Sequence, residues 1–461
     1  MSNTEPPRRH PSYIRLITQR RFGTLILTRV FAITGDSIRA LALAVLVYGL
    51  THSPMLSAVA YSIAFIPQLL GSSFLGTLAD WLPPRLLLTV LYAVDAATGI
   101  VIGALRPPVA VSLVLVAVVA LVTPLHLGTS ARLVADVLTG DDYVLGRAVW
   151  CSAPLAAQLA GNGIAAVLLL AVGSARTILI SGGLQLCAVA VIRLGLPKLP
   201  RNAAPEPAPA RPRLRSTFAD SWSQNLDLLR GSRVRQILLA KWIPPGLVIG
   251  AEALIVAYAG RHSFPASAPG ILLACLCAGT MVSNLIFGRV TTPSVRDWLT
   301  VAFTVVAGLP LLAFLVDPPL VVSAVLLTAA GVGLCYDLGL ELRFVDAVPE
   351  DRRGLAFSMR STGLMSAQGI GPLVFGALAQ VMPVGDVMAL CGGLTVLVGT
   401  ALVVRALRPA SQPAPARPEA PGAANGLTIV DGPTECNCPG GCGQGQPAAA
   451  SPGEYAKDTV R

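Results

Sequence analysis

The sequence predicts an all-α membrane protein in which twelve transmembrane helices form two pseudo-symmetric six-helix bundles. Three observations predict it. The chain is 54% hydrophobic and 13% charged, with a mean hydropathy of +0.68, which leaves too little polar surface to cover a water-soluble globule. Its apolar runs repeatedly reach the ~20 residues that a helix needs to cross hydrocarbon. A proline-rich polar segment then divides those runs six and six. Length alone, 461 residues, would suggest several soluble domains, but composition overrides it.

The elements follow in order. A basic arm, residues 1–21, carries Arg8, Arg9, Arg15, Arg20 and Arg21. The first bundle, 22–197, holds apolar runs at 22–48, 55–75, 86–105, 109–128, 148–172 and 177–196. The first run is too long for a signal-peptide core and lacks a cleavage site, so it is expected to be retained. The linker, 198–232, contains Ala203-Ala-Pro-Glu-Pro-Ala-Pro-Ala-Arg-Pro212, a string too rich in proline to pack and expected to be extended. Residues 216–230 suit a short amphipathic helix at the membrane surface. The second bundle, 233–407, holds runs at 237–259, 268–287, 299–315, 320–340, 355–382 and 387–407. The tail, 408–461, is rich in Pro, Ala and Gly, the composition of a disordered segment.

A formal charge of +10 would suit a nucleic-acid partner, yet the arginines alternate between loops. One set of loops carries Arg85, Arg132, Arg147, Arg289, Arg296, Arg343, Arg352 and Arg353, with the basic centre between Arg193 and Lys241. The other set has only Arg106, Arg176 and Arg261. That asymmetry is a topology signal, which puts both termini and the linker in the cytoplasm and argues for no nucleic acid. Lys241, near the end of its span, reads as a snorkelling anchor.

An internal repeat supports the division. Leu145-Gly-Arg-Ala148 precedes Gln158-Leu-Ala-Gly161-Asn-Gly163 and Ser181-Gly-Gly-Leu184. In the second half, Arg353-Gly-Leu-Ala356 precedes Gln368-Gly369-Ile-Gly371-Pro372 and Cys391-Gly-Gly-Leu394. The same motifs in the same order suggest a parallel duplication. Of nine cysteines, six lie in apolar runs as small hydrophobes. Cys436, Cys438 and Cys442 lie in the tail, where three thiols without a fourth ligand make a weak site. No metal and no cofactor is expected. A phosphate-binding loop, a nucleophile–base pair and a metal triad are all missing, which argues against an enzyme or an ATP-driven pump.

Between the second and third runs lies Gly76-Thr77-Leu78-Ala79-Asp80-Trp81-Leu82-Pro83-Pro84-Arg85. It resembles the loop motif of the major facilitator superfamily, roughly G-x-L-A-D-R-x-G-R-K, at Gly76, Leu78, Ala79, Asp80 and Arg85. Trp81, Pro83 and Pro84 depart from the pattern and remove part of its basic cluster. Gly35-Asp36-Ser37, the following run from Ala42 to Thr51, and Pro67 resemble the drug-exporter branch that includes macrolide and siderophore exporters. Gly369-Ile-Gly371-Pro372 with Gly376 is similar to the family's antiporter motif, which normally belongs to the fifth helix. In that helix Gly161-Asn162-Gly163 keeps the glycines and lacks the proline. The family's fourth-helix arginine motif is absent, since residues 121–129 offer only His126.

The resemblance implies alternating access around a midplane cavity lined by helices one, four, seven and ten. The gating motif would be Gly76, Asp80 and Arg85, and the helix-crossing motif Gly161, Gly163, Gly369, Gly371, Pro372 and Gly376. Charges inside hydrocarbon are functional candidates because each costs ~3 kcal/mol to insert. Asp36 and Arg39, one turn apart, fit either a transport site or a local ion pair. Glu252, in the counterpart of the first helix, suits a carboxyl that exchanges a proton as access alternates. His126 fits a titrating group or a packed helix-end residue. Asp95 reads as a structural hydrogen bond, and Asp337 as a residue facing water.

The expected function is a secondary active transporter, a proton-coupled exporter of a small amphipathic compound such as an antibiotic, drug or siderophore. An importer of a small metabolite and a non-transporting receptor or scaffold are the alternatives. The expected partners are that substrate, protons and the lipid bilayer, with the chain a monomer. Abundant Ala, Arg, Gly and Pro with scarce Lys suggests a GC-rich bacterium, hence a bacterial plasma membrane.

Overall fold

The computed structural model describes residues 16, 18–74, 83–138, 141–196, 232–290, 293–349 and 352–408. All of them fall in one compact unit, Met1–Ala410. The basic arm before residue 16, the hairpin at 75–82 and nearly all of the linker lie outside the described residues. So does the tail beyond 408.

The first half runs α1 (Arg20–Thr51), α2 (Pro54–Ser62), α3 (Phe65–Phe74), α4 (Pro84–Leu105), α5 (Val109–Val137), α6 (Asp141–Val172) and α7 (Ser174–Gly195). The second runs α8 (Ser232–Glu252), α9 (Ile255–Arg261), α10 (Ala268–Val290), α11 (Pro293–Leu312), α12 (Leu320–Gly333) and α13 (Tyr336–Ala347). It ends with α14 (Arg353–Leu378), α15 (Val384–Leu394) and α16 (Thr400–Leu407). The pairs α2/α3, α8/α9, α12/α13 and α15/α16 are each one crossing with a local break. Among the described residues, eleven helical segments are long and apolar enough to cross a membrane. The one expected run missing from that count, the eleventh in order, is α14. Its 26 residues reach ~39 Å at 1.5 Å per residue, long enough to cross. Ser358, Arg360, Ser361, Thr362, Ser366 and Gln368 make it too polar to count by composition.

Turn chemistry repeats between the halves. Arg106 ends α4 in the left-handed region (φ 49°) and Asp317 ends the ninth crossing the same way (φ 47°). Each is followed by Pro-Pro, whose second proline caps the next helix, at Pro108 and Pro319. A left-handed residue stops a helix, and proline cannot continue it. Ser53 starts α2 by accepting a hydrogen bond from the Leu56 amide at 3.2 Å, with Pro54 at the first helical position.

Packing follows the same symmetry. In the first half α1 packs on α6, α3 on α5, and α4 on α7. In the second, the counterparts α8 and α14, α10 and α12, and α11 and α15 pack together. The halves meet chiefly where α6 contacts α10 and where α14 contacts α2 and α3, with α9 also touching α1 and α2. These two seams exchange under the same pseudo-two-fold relation.

The core is distributed unevenly across the membrane. One apolar cluster joins both halves, with Leu41 and Val47 of α1 beside Leu254, Tyr258 and Leu311. It lies toward the arginine-poor loops. Toward the arginine-rich loops each half has its own cluster, Phe22, Leu25 and Tyr92 in the first, Ile237, Tyr336 and Phe344 in the second. Helices in lipid are held by close packing rather than by expulsion of water. A shared cluster on one side and separate ones on the other therefore hold the halves together at the arginine-poor face.

Candidate functional site

Helix α1 carries Asp36 and Arg39 on one side, three residues apart. Arg39 donates to Asp36 Oδ1 at 2.8 Å and, through Nη1, to Asp95 Oδ1 of α4. Gln185 of α7 donates to Asp36 Oδ1 at 3.0 Å and to the Ala32 carbonyl at 3.1 Å. The expected pair is thus a network built from three helices. Its members differ in access: the Asp36 side chain is 41% exposed, those of Arg39 and Asp95 10% each. Asp95 is the buried counter-ion of Arg39, and Asp36 is the carboxylate that meets open space.

That space is a cavity of about 180 Å³. Asp36, Arg39, Tyr61, Phe65, Gln158 and Asn162 line it, with apolar residues of α1, α2 and α5. At roughly 30 Å³ per water it accepts a small molecule or one arm of a larger one. Its walls come from the first half alone.

Glu252 lies behind this wall, at the last turn of α8. It is buried, and Tyr61 Oη donates to its Oε1 at 2.7 Å. That bond crosses from one half to the other. Among the described residues Glu252 pairs with no cation. A second link crosses nearby, where Asn162 Nδ2 donates to Cys277 Sγ at 3.6 Å. At the arginine-poor face Gln380 Nε2 donates to Ser53 Oγ at 2.5 Å. Helical order lapses at both ends of the Tyr61–Glu252 link: α2 gives way to α3 at residues 63–64, beside Tyr61, and α8 to α9 at 253–254, beside Glu252.

The other expected residues fall elsewhere. His126 stands against Tyr92, ring centroids 5.0 Å apart, and is not on the cavity wall. Arg85 donates to the Arg193 carbonyl at 2.5 Å, tying the start of α4 to the end of α7. Gly76 and Asp80 lie outside the described residues.

The glycine motif divides into three groups. A Cβ on Gly369 or Gly376 would meet α2 and α3 of the other half, at Ile66 and at Met55 with Ala58. Gly161 and Gly371 serve crossings within a half, against Thr34 and Gly246. Gly163 faces open space, and Pro372 sits inside α14.

Lys241 is a correction. It does not snorkel: it is 2% exposed and donates to Asp337 Oδ1 at 2.7 Å and Glu341 Oε2 at 2.9 Å. Arg360 of α14 also reaches Glu341, at 2.7 Å. Asp337 therefore meets a lysine rather than water alone. The partners on α13 come about 100 residues later, so no local pattern could show them.

Sequence reasoning singled out neither Tyr61, Gln185 nor Asn162 as site residues. The signal was there in each case: a hydrogen-bonding side chain inside an apolar run needs a partner, because hydrocarbon offers none.

No family model matches the chain, and no curated protein matches it in sequence. Solved structures do match in fold. The nucleoside transporter NupG superposes with a TM-score of 0.63 at 14% identity, over 85% of this chain and 100% of its own. A POT family transporter in complex with 5-aminolevulinic acid gives 0.62 at 12%, over 83% and 95%. A bacterial homologue of the iron transporter ferroportin, in its inward-facing state, gives 0.62 at 15%, over 86% and 100%. At such identities the likeness concerns the fold. The chain is a multi-pass membrane protein with the fold of major-facilitator-like transporters.

Proposed function

We propose that this chain is a secondary active transporter that exports a small amphipathic compound in exchange for protons, and that it is not an enzyme. The arginine-rich face lies in the cytoplasm of a bacterium, and the conformation described is sealed towards the outside. The observation that carries the reading is the cavity wall beside Asp36, with Tyr61 joining that wall to Glu252 in the opposite half. One side chain thus touches both the space a substrate would fill and a buried carboxyl.

Charge supports the choice of coupling ion. Asp36 lines the cavity and shares Arg39 with the buried Asp95, while Glu252, behind the wall, pairs with no cation among the described residues. Buried charges persist only when neutralised, so the site calls for positive charge: protons, or a substrate that carries one. Apolar walls beside Phe65 and Leu43 suit the rest of an amphipathic molecule. The resemblance of Gly35-Asp36-Ser37 to the drug-exporter branch points the same way.

Expression in a drug-sensitive bacterial host tests the direction. The account expects a rise in the tolerated concentration of at least one amphipathic antibiotic, lost in Asp36→Asn. Unchanged sensitivity across a broad panel, with increased uptake of a metabolite, would instead favour import.

A further inference from the structure

A second cavity lies at the arginine-rich end of the second half, away from the pathway. It measures about 470 Å³ and is lined by Arg233 of α8, Arg296 and Asp297 of α11, and Leu342, Arg343 and Asp346 of α13. Arg343 and Asp297 spend their charges on each other, with Nε donating to Oδ1 at 3.3 Å and Nη2 to Oδ2. Arg233 gives one hydrogen to the Arg408 carbonyl and makes no ion pair with the described residues. The side chains of Arg296 and Asp346 make no hydrogen bond or ion pair with the described residues. Among the described residues two cations and one anion remain, a single positive charge in excess.

The surroundings identify the side from which a ligand arrives. Trp298, one turn beyond Val295 on α11, is 70% exposed, and Leu342 in the cavity wall is 53% exposed. Leu338, one turn deeper in the membrane on the same face of α13, is 40% exposed. An exposed tryptophan beside arginines at a helix end marks the level of the lipid headgroups. Apolar surface below it and cationic surface above it suit a molecule with a fatty chain and an anionic head.

We propose that this cavity binds the headgroup of an anionic membrane phospholipid. Arg296 and Arg233 take the phosphodiester, whose single negative charge matches the excess. The acyl chains run down the exposed face of α13 at Leu342 and Leu338. Asp346, exposed at the rim, accepts headgroup hydroxyls and repels a second phosphate. A lipid held there would brace α8, α11 and α13, which carry the starts of the seventh and ninth crossings and the end of the tenth.

Native mass spectrometry of the full chain in detergent, with phosphatidylglycerol or phosphatidylcholine added, tests this. Each arginine near an anionic headgroup contributes about fivefold in affinity. The wild type should retain phosphatidylglycerol over phosphatidylcholine by at least about that factor. Arg296→Gln should lose the preference, Arg296→Lys should keep most of it, and Asp346→Asn, which adds to the positive excess, should strengthen it. Glycerol 3-phosphate at equal concentration should not displace the lipid. Equal retention of the two lipids by the wild type would overturn the assignment, as would an unchanged preference in Arg296→Gln. Displacement by glycerol 3-phosphate would replace the lipid with a soluble phosphate. If Arg296→Gln does not fold, Asp346→Asn decides, and retention no stronger than wild type contradicts the proposal.

Discussion

At the scale of single residues, the network around Arg39 changes what a substitution means. With Asp36 as its only partner, Asp36→Asn would strand a cation inside the membrane. Asp95 is also present and better buried, so Arg39 stays paired when Asp36 is neutralised. Asp36→Asn should therefore fold with near wild-type thermal stability and lose transport. Asp95→Asn removes the buried counter-ion, and breaking such a pair costs on the order of 3–5 kcal/mol. It should lower the melting temperature markedly. A thermal shift series on purified protein separates the two, and an equal loss in both variants would contradict the division of roles. Asp36 and Arg39 were legible in the sequence because they share one helix face, three residues apart. Asp95 was legible only as an anomaly, since its partner lies 56 residues away and hydropathy carries no information about which helix faces which.

At the scale of elements, hydropathy located nearly every crossing because hydrocarbon thickness fixes the length of an apolar run. It recovered the helices and missed their interruptions. The breaks at 63–64 and 253–254 fall beside the two ends of the Tyr61–Glu252 bond. The first has a local cause, since Pro67 cannot donate to the Ile63 carbonyl and its ring crowds it; the second has no proline four residues on. That bond joins α2 to the end of α8 and is made while the arginine-poor face is closed. A hydrogen bond to a carboxylate contributes about 1.5–3 kcal/mol. Tyr61→Phe should then shift the balance away from this conformation by about tenfold or more. Spin labels at Leu50 and Val381, both exposed at the arginine-poor face, would report it as a longer distance component absent from the wild type. An unchanged distance distribution would make the bond incidental to gating.

At the scale of the whole molecule, duplication explains what the sequence could and could not reveal. The repeated Gly-Gly-Leu and Gly-x-Gly strings exposed the two halves, because close helix crossings demand small residues at fixed places. The pairs of seams, α6 with α10 and α14 with α2 and α3, follow from that symmetry. The alternation of arginines argues for cytoplasmic termini, which impermeant thiol labelling in intact cells tests. Cysteines at Ser53 and Asp317 should react from outside, and one at Ala208 should not.

The central claim, that protons drive transport through this site, concerns Glu252. It is buried, hydrogen-bonded to Tyr61 of the first half, and among the described residues it pairs with no cation. A carboxylate so placed bears a desolvation cost that a bound proton removes, whereas glutamine keeps the shape and an acceptor for Tyr61 but takes no proton. The most direct measurement is accumulation of a fluorescent amphipathic dye in everted vesicles, with and without an imposed acid-inside pH gradient. Wild-type vesicles should accumulate dye only while the gradient lasts. Glu252→Gln vesicles should exchange dye across the membrane yet never concentrate it. Uphill accumulation by Glu252→Gln at the wild-type rate, or wild-type accumulation that survives collapse of the gradient, would contradict the account.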